Sequence, residues 1–360
     1  QTPEHVARMK AIRAELVRLR KQWDELGPVP AEAKVYAVVT GKAEPVHVLD
    51  RGDPASPGEQ VAPAGLSCIE SLSSSLVGTD APEGQRRLAL ARWITDKANP
   101  LTPRVIVNRL WHYHFGAGLV STPSDFGYAG GKPSHPQLLD WLAGELLRRK
   151  WSLKAIHRLI VTSRTYRQAS THVASAAAID ADNRLLWRMN PRRLEVEAIR
   201  DAVLSVSGSL NTKMGGPGYQ DFRYQQEYAP VYTFIAPDRP ELWRRPIYRY
   251  VVRTTPPSFI NALDCPHPSV LTPTRNRTTT SLQSLAMLNN RFMLDQARLF
   301  AARLEREAKG DARIDLAFRL ALGREPTDEQ RRAAIALVQK QGLAQFCRML
   351  LNTNEFVYVD

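Results

Sequence analysis

Cysteine is scarce in this chain: Cys68, Cys265 and Cys347 are the only three in 360 residues. No C-x-x-C and no C-x-x-C-H occurs, which excludes a paired-thiolate zinc site and covalent c-type haem within this sequence. An odd count forbids complete internal pairing, so unpaired and mostly buried thiols are expected. Long apolar runs are also missing, and nothing approaches the ~18 residues of a membrane span. No charged, then apolar, then small-residue start is visible. The chain opens directly on a helical pattern and is expected to be a mature or trimmed piece of something longer.

Reaction signatures are absent as well. There is no G-x-S-x-G and no H-E-x-x-H. "GGPGYQ" (215–220) has no strand and helix to frame a dinucleotide loop, and "GYAGGKP" (127–133) lacks the spacing and hydroxyl of a phosphate loop. "CPHPS" (265–269) lacks the arginine that follows the cysteine and proline of a sulfatase nucleophile. No metal site and no cofactor are expected in this chain.

What the chain has is basic charge and helical periodicity. Lys and Arg number 49 against 36 Asp and Glu, a formal charge of +13. That permits an acidic partner, but the basic pairs are scattered and no block of ~5 appears. A nucleic-acid partner therefore ranks last. The clearest element spans residues 3–26, where Met9, Ile12, Leu16, Leu19, Trp23 and Leu26 recur in steps of three and four. This is a heptad seam that should pack on a partner or fold back on the body. Residues 34–50 read as two strands about Gly41-Lys42, followed by a Pro/Gly turn region in which Arg51-Gly52-Asp53 is turn-forming. Residues 70–84 read as linker.

From 84 onward helices dominate. Thr102 with Pro103 should open one to about 115. Ser134 with Gln137 should form a capping box, and Ser152 should cap the helix of Leu153, Ile156 and Ile160. Another helix holds Leu194, Ile199 and Val203. Helices resume near 279–306, then around 314–322, after the capping box Thr327…Gln330, and around Leu343–Leu351. "PVYTFIA" and "PIYRYVVRTT" look like strands of a small hairpin within 219–255.

Candidate chemistry centres on "NRLWHYHFGAGLVSTPSDFG" (108–127). His112 and His114 lie about 160° apart on a helix and cannot share a metal. His114 should face inward as a hydrogen-bonded core histidine, and His112 outward with Asn108 and Arg109. Asp125 can form a turn, pair with Arg109, or serve as acid or base. The catalytic candidates are thus Asp125, His114 and Arg109. A second polar cluster gathers Arg244, Arg245, Arg253, Arg275, Arg277, Gln283 and Asn289 in a Pro-rich region. Arginines beside tyrosines suit carboxylate, sulfate or sugar recognition. They equally suit an internal network stitching loops to helices. Asn289 falls on the apolar stripe of its helix and should find partners there.

Several longer strings carry a resemblance. "RLALARWITDKANPLTPRVIVNRLWHYHFGAGLVSTPSDFG", "NPRRLEVEAIRDAVL", "RRPIYRYVVRTTPPSFINALDCPHPSV", "RNRTTTSLQSLAMLNN", "ALGREPTDEQ" and "LLNTNEFVYVD" occur in that order. Over about 84–360 the chain resembles a domain of unknown function found mainly in planctomycetes and verrucomicrobia. The resemblance implies an exported, extracytoplasmic protein in which a second planctomycete domain, and often a c-type cytochrome domain, lies upstream. It supplies no catalytic residues. Asn108, Arg109, Trp111, His114, Phe115, Gly116 and Asp125 match the family's tryptophan-containing helix end. His112 stands where glutamine is common.

The expected fold is mainly α, a helix-dominated α+β protein. Its expected parts are a coiled-coil-like helix (1–30), a small β segment and linker (31–83) and a helical domain (84–360) with a strand-like insertion near 219–255. The expected function is an interaction or scaffold module whose helix 3–26 docks on the upstream domain of the same precursor or on a c-type cytochrome. The alternatives are an enzyme acting on anionic polysaccharide and a nucleic-acid-binding protein.

Overall fold

The computed structural model describes residues 3–25, 39–41, 43–235, 239–254 and 258–359. They form a helix-dominated α+β fold, about half helical, whose strands make only two-stranded antiparallel pairs. The chain divides into two compact units, residues 1–99 and 100–360.

In the first unit the heptad seam is helical throughout α1 (Pro3–Glu25); Leu26 lies outside the described residues. Strand β1 (Val46–Leu49) pairs with β2 (Pro57–Val61), with Val46 opposite Val61. The expected hairpin about Gly41-Lys42 falls largely outside the described residues, and the strand at 46–49 turns forward onto 57–61. The cause is the turn chemistry of "DRGDPAS": Arg51 (φ 47) and Gly52 (φ 78) are left-handed and reverse the chain. Asp50 N then donates to Ser56 O at 3.1 Å. Most of the expected partner strand, 34–38, lies outside the described residues. Helix α2 (Glu83–Thr95) completes the unit. Among its described residues Ile69 is the only large apolar side chain that is buried, at 5 % exposure.

The second unit owns two cores. The first is built by α3 (Leu101–Phe115), α4 (Pro136–Arg148) and α5 (Leu153–Thr162), which pack on one another. Val107, Trp111, Phe115, Leu142, Leu146 and Ile156 fill it. After the short α6 (Ala174–Ile179) and β3 (Arg192–Arg193) comes α7 (Val196–Ser207). The hairpin β4 (Phe222–Gln225) with β5 (Val231–Phe234) and the short α8 (Ser258–Ala262) follow. Then come α9 (Ser281–Asn289), α10 (Arg291–Glu307), α11 (Ala312–Leu322), α12 (Asp328–Gln341), α13 (Leu343–Leu350) and α14 (Asn354–Val357). Strand β6 (Tyr358–Val359) pairs back on β3. Helix α10 packs against α7, α9, α11 and α13. Phe300 and Leu304 on α10 are completely buried, as are Val203, Leu204 and Cys347.

Several local expectations are revised. Helix α3 starts at Leu101, one residue before Thr102, with Pro103 still in the tolerant first turn. Helix α4 has no side-chain cap; Ser134 Oγ donates to Leu119 O instead. Ser152 and the Thr327…Gln330 box cap as expected. The helices expected near 279–306 are α9 and α10, separated because Asn290 is extended (φ −63, ψ 139) and its Oδ1 accepts from Phe292 N. The strand at 231–234 exists, but its partner is 222–225, not 246–255. Pro246 opens a 3-10 turn there, and Arg249 makes a single bridge to Tyr219.

Asn108 was expected on the outer side of its helix. It is completely buried, and its amide pairs with both backbone groups of Val120 at 2.8 and 3.0 Å. It thereby stitches the loop after α3 to the helix. A Cβ on Gly118 would fall 2.5 Å from Val120 O, so only glycine lets the loop come this close. Asn108→Ala strands a buried N–H and a buried C=O. It should cost about 3 kcal/mol, read as a lower urea midpoint with unchanged slope.

Candidate functional site

Arg193 is buried on β3, and a buried guanidinium must find a counter-charge. It finds Asp264, with Nη2 2.5 Å from Oδ2. The same carboxylate accepts from Thr278 N at 2.8 Å, Thr278 Oγ1 at 2.9 Å and Gln283 Nε2 at 3.0 Å. Asp264 itself is left-handed (φ 63), which aspartate tolerates better than most residues. The clamp ties together both ends of the loop 265–277. Burial alone would raise the Asp264 carboxyl, but Thr278, Gln283 and Arg193 outweigh it and hold it below the usual aspartate range.

This loop walls two neighbouring cavities. One, of about 280 Å³, is lined by His112, Tyr113, Glu195, His267, Thr272 and Arg275 among others. The other, of about 210 Å³, is more apolar and includes Glu197, Val252, Ile260, Cys265 and Arg275. Pro266, His267, Pro268 and Arg275 line both. Arg275 binds Glu197 through both guanidinium nitrogens, at 2.7 and 2.9 Å, and reaches Glu195 at 3.0 Å. Burial acts to raise Glu197, but its bonds to Arg275 win and keep the carboxylate ionised. Cys265 is pushed up by burial and then by Glu197, so its thiol stays protonated and is no ready nucleophile.

The sequence candidates scatter over this framework. Asp125 Oδ1 accepts from Gly127 N at 2.9 Å, forming a turn. Arg109 lies over the Tyr113 ring and donates to its Oη at 3.4 Å. His114 meets His157, Nε2 to Nδ1, at 2.8 Å, with Tyr166 edge-on. Asp125, His114 and Arg109 therefore each engage a different partner. In the second cluster Arg245 pairs with Asp201 at 2.8 Å and Arg253 is exposed. Arg244 is buried and donates to the carbonyls of Lys213, Gly215 and Pro217. Arg277 stands beside Gly116 at the end of α3, 3.8 Å from Glu195. Gln283 is buried in the Asp264 clamp. Asn289 was expected on the apolar stripe; it is exposed, and its Oδ1 accepts from Arg348 Nη2 at 2.8 Å. The break at Asn290 rotates this last residue of α9 outward.

Of the cavity residues, Arg275 alone came from the second cluster. Glu195, Glu197, Cys265, His267 and the clamp residues Arg193 and Asp264 were missed as a group. The available signal was the Pro-interrupted "LDCPHPSVLTPTRNR", a long irregular loop carrying cysteine, histidine and two arginines. Among the described residues no group of three His, Cys, Asp or Glu side chains is placed to hold a metal.

Two histidines carry a pH signature. Burial, then the like charges of His157 and Arg192, depress His114 below the ordinary 6.5. Burial, then Arg277 and Arg109, depress His112. A lowered histidine pKa means that the fold disfavours the charged ring. Their contribution is complete above pH 6.5 and is lost as pH falls below it toward the folded values. Urea unfolding free energy should therefore be flat above neutrality and decline below pH 6.5, and His157→Gln should make that decline shallower. Asp264→Ala leaves Arg193 buried without its counter-charge. It should cost about 3–5 kcal/mol and accelerate amide exchange across 265–277 in hydrogen-exchange mass spectrometry.

No curated protein and no solved structure matches the chain. One family model does, over residues 86–338, inside the stretch of ordered motifs and well over half of the chain. The protein belongs to the PSD1 family, described as protein of unknown function (DUF1553).

Proposed function

We propose that the protein is an interaction module of a larger extracytoplasmic assembly and that it docks through α1. One observation carries this reading. The unit 1–99 buries a single large apolar side chain among its described residues, while the seam of α1 faces water. Leu16 is 59 % and Trp23 67 % exposed, and Met9, Ile12 and Leu19 are each close to half exposed. Ordering a residue costs about 1–2 kcal/mol of backbone entropy, and most helical stability in proteins comes from packing an apolar face rather than from propensity. Burial of the seam against a partner supplies the missing apolar contact.

The flanks of the seam specify the partner's chemistry. Heptad positions beside it carry Arg8, Arg13 and Arg20, while Glu15 is engaged by Arg18 at 2.6 Å. The partner is a helix with its own apolar seam and acidic flanks. A second copy in parallel register sets Arg8 against Arg13 and Glu15 against Arg20, so its flanks give no net complementarity, whereas acidic flanks on the partner would pair with all three arginines. No helix among the described residues is long and apolar enough to cross a membrane. The family's resemblance to exported, cytochrome-associated proteins makes the upstream domain of the same precursor, or a c-type cytochrome, the partner to look for. The haem would belong to that partner, since this sequence has no C-x-x-C-H.

Affinity purification from the native source should retrieve a stable partner, and Leu16→Glu with Leu19→Glu should abolish its retention. Arg13→Glu with Arg20→Glu should weaken retention and flatten its salt dependence. A native chain that purifies as a clean monomer in native mass spectrometry overturns the reading.

A further inference from the structure

The paired cavities under the loop 265–277 have an unusual composition for a structural gap. The larger carries two imidazoles, a phenol, a carboxylate, a guanidinium and a hydroxyl on one wall system: His112, His267, Tyr113, Glu195, Arg275 and Thr272. Their charges nearly cancel. Glu195 and Glu197 stand against Arg275, with Arg277 3.8 Å behind Glu195. Burial, Arg277 and Arg109 lower His112, so at neutral pH its ring is an uncharged donor and acceptor. Ser269 N donates to His267 Nδ1 at 3.3 Å, which leaves Nε2–H of that ring as a donor.

Such a site disfavours an anion. The positive charge of Arg275 is already balanced by two carboxylates on its Nη atoms, which leaves remaining N–H groups as neutralised donors, and any phosphate or sulfate would face Glu195. No lysine and no glycine lines the larger cavity, so the usual ammonium and backbone N–H cradle for phosphate is missing among its lining residues. A hydroxyl, in contrast, donates and accepts at once. It is satisfied only where acceptors such as Glu195 alternate with donors such as Arg275 and His267 Nε2. Tyr113 lines this cavity and is half exposed, and an aromatic ring suits contact with sugar C–H groups. The volumes, about 280 and 210 Å³, lie just below the usual range for drug-sized ligands of about 300–1,000 Å³. Each is suited to one small ring, and the shared wall of Pro266, His267, Pro268 and Arg275 joins them into adjacent places.

We propose that this double cavity binds an uncharged glycan, one sugar ring in each half, with Glu195 and Arg275 pairing with hydroxyls of the ring beside Tyr113. The site lies wholly in the unit 100–360 and is independent of docking through α1.

Saturation-transfer NMR and isothermal titration on the full chain, with cellobiose, maltose and lactose as neutral probes and a chondroitin sulfate disaccharide and digalacturonate as acidic ones, decide the matter. At least one neutral disaccharide should bind at roughly millimolar concentration. Glu195→Gln, Thr272→Val and His112→Gln should each weaken it by about tenfold, the thermal midpoint reporting that each variant remains folded. Asp125→Asn, in its turn, should bind as the native protein does. The proposal fails if no neutral disaccharide shows transfer at roughly 10 mM. It fails equally if the acidic probes bind more tightly than the neutral ones, or if the folded cavity variants bind unchanged.

Discussion

The position of the loop 265–277 depends on one carboxylate. Asp264 faces a buried guanidinium on β3 and the hydroxyl, backbone N–H and amide of Thr278 and Gln283. The arrangement meets two requirements together. Arg193, only 7 % exposed at its side chain, could not remain charged there without a partner, and the loop has no ladder of its own. Three prolines, Pro266, Pro268 and Pro273, restrict the loop's backbone and lower the entropy lost on closing it. Closure itself comes from Asp264 and Thr278 meeting at the two ends. The walls of both cavities therefore inherit their geometry from an ion pair that touches neither cavity.

Guanidinium groups like that of Arg193 recur at places where helix ends and loops expose carbonyls. Arginine is spent on carbonyls that helix ends and loops leave unpaired. Gly116 (φ 86) ends α3, and Arg192 donates to Tyr113 O there while Arg277 lies alongside. Gly208 (φ 77) ends α7, and Arg303 from α10 donates to Ser205 O and Val206 O. Arg348 donates to Leu288 O at the end of α9. Arg200 and Arg244, both buried, bind carbonyls of residues 213–217, 242 and 244. A guanidinium at a helix C-terminus satisfies an orphan acceptor and opposes the negative end of the dipole. These particular guanidinium groups are turned toward the backbone carbonyls of the protein itself.

Periodicity made the helices legible, and it did so best where a cap was local. Ser152 and the Thr327…Gln330 box are short-range chemistry and behave as written. Strand pairing is non-local and harder to read: β5 was seen, but Pro246 turns the stretch read as its partner into a 3-10 helix, and 222–225 takes that place. Asn108 and Asn289 show the same limit from two sides. An asparagine read as outward is buried because Val120 returns to it, and one read as inward is exposed because Asn290 breaks the helix. The cavity was the least legible feature. Glu197 lies 78 residues from its partner Arg275 and Asp264 lies 71 from Arg193, and no spacing rule connects such pairs.

The two units follow different stability logic. The unit 100–360 buries two sets of apolar side chains and has its own reason to fold. Among the described residues of the unit 1–99 only Ile69 is a buried large apolar side chain, and its longest element presents its seam to water. In the proposed docking, ordering and binding of α1 are coupled. Each seam residue that becomes covered contributes about 1.5–3 kcal/mol, and part of this offsets the helix's own conformational entropy. Trp23, the largest of them, is the natural anchor. The arginine flanks then act mainly on which helix is accepted and how quickly it is found, because rim charges change encounter and discrimination more than residence. Affinity and specificity in α1 are thus separable, the first held in the seam and the second beside it.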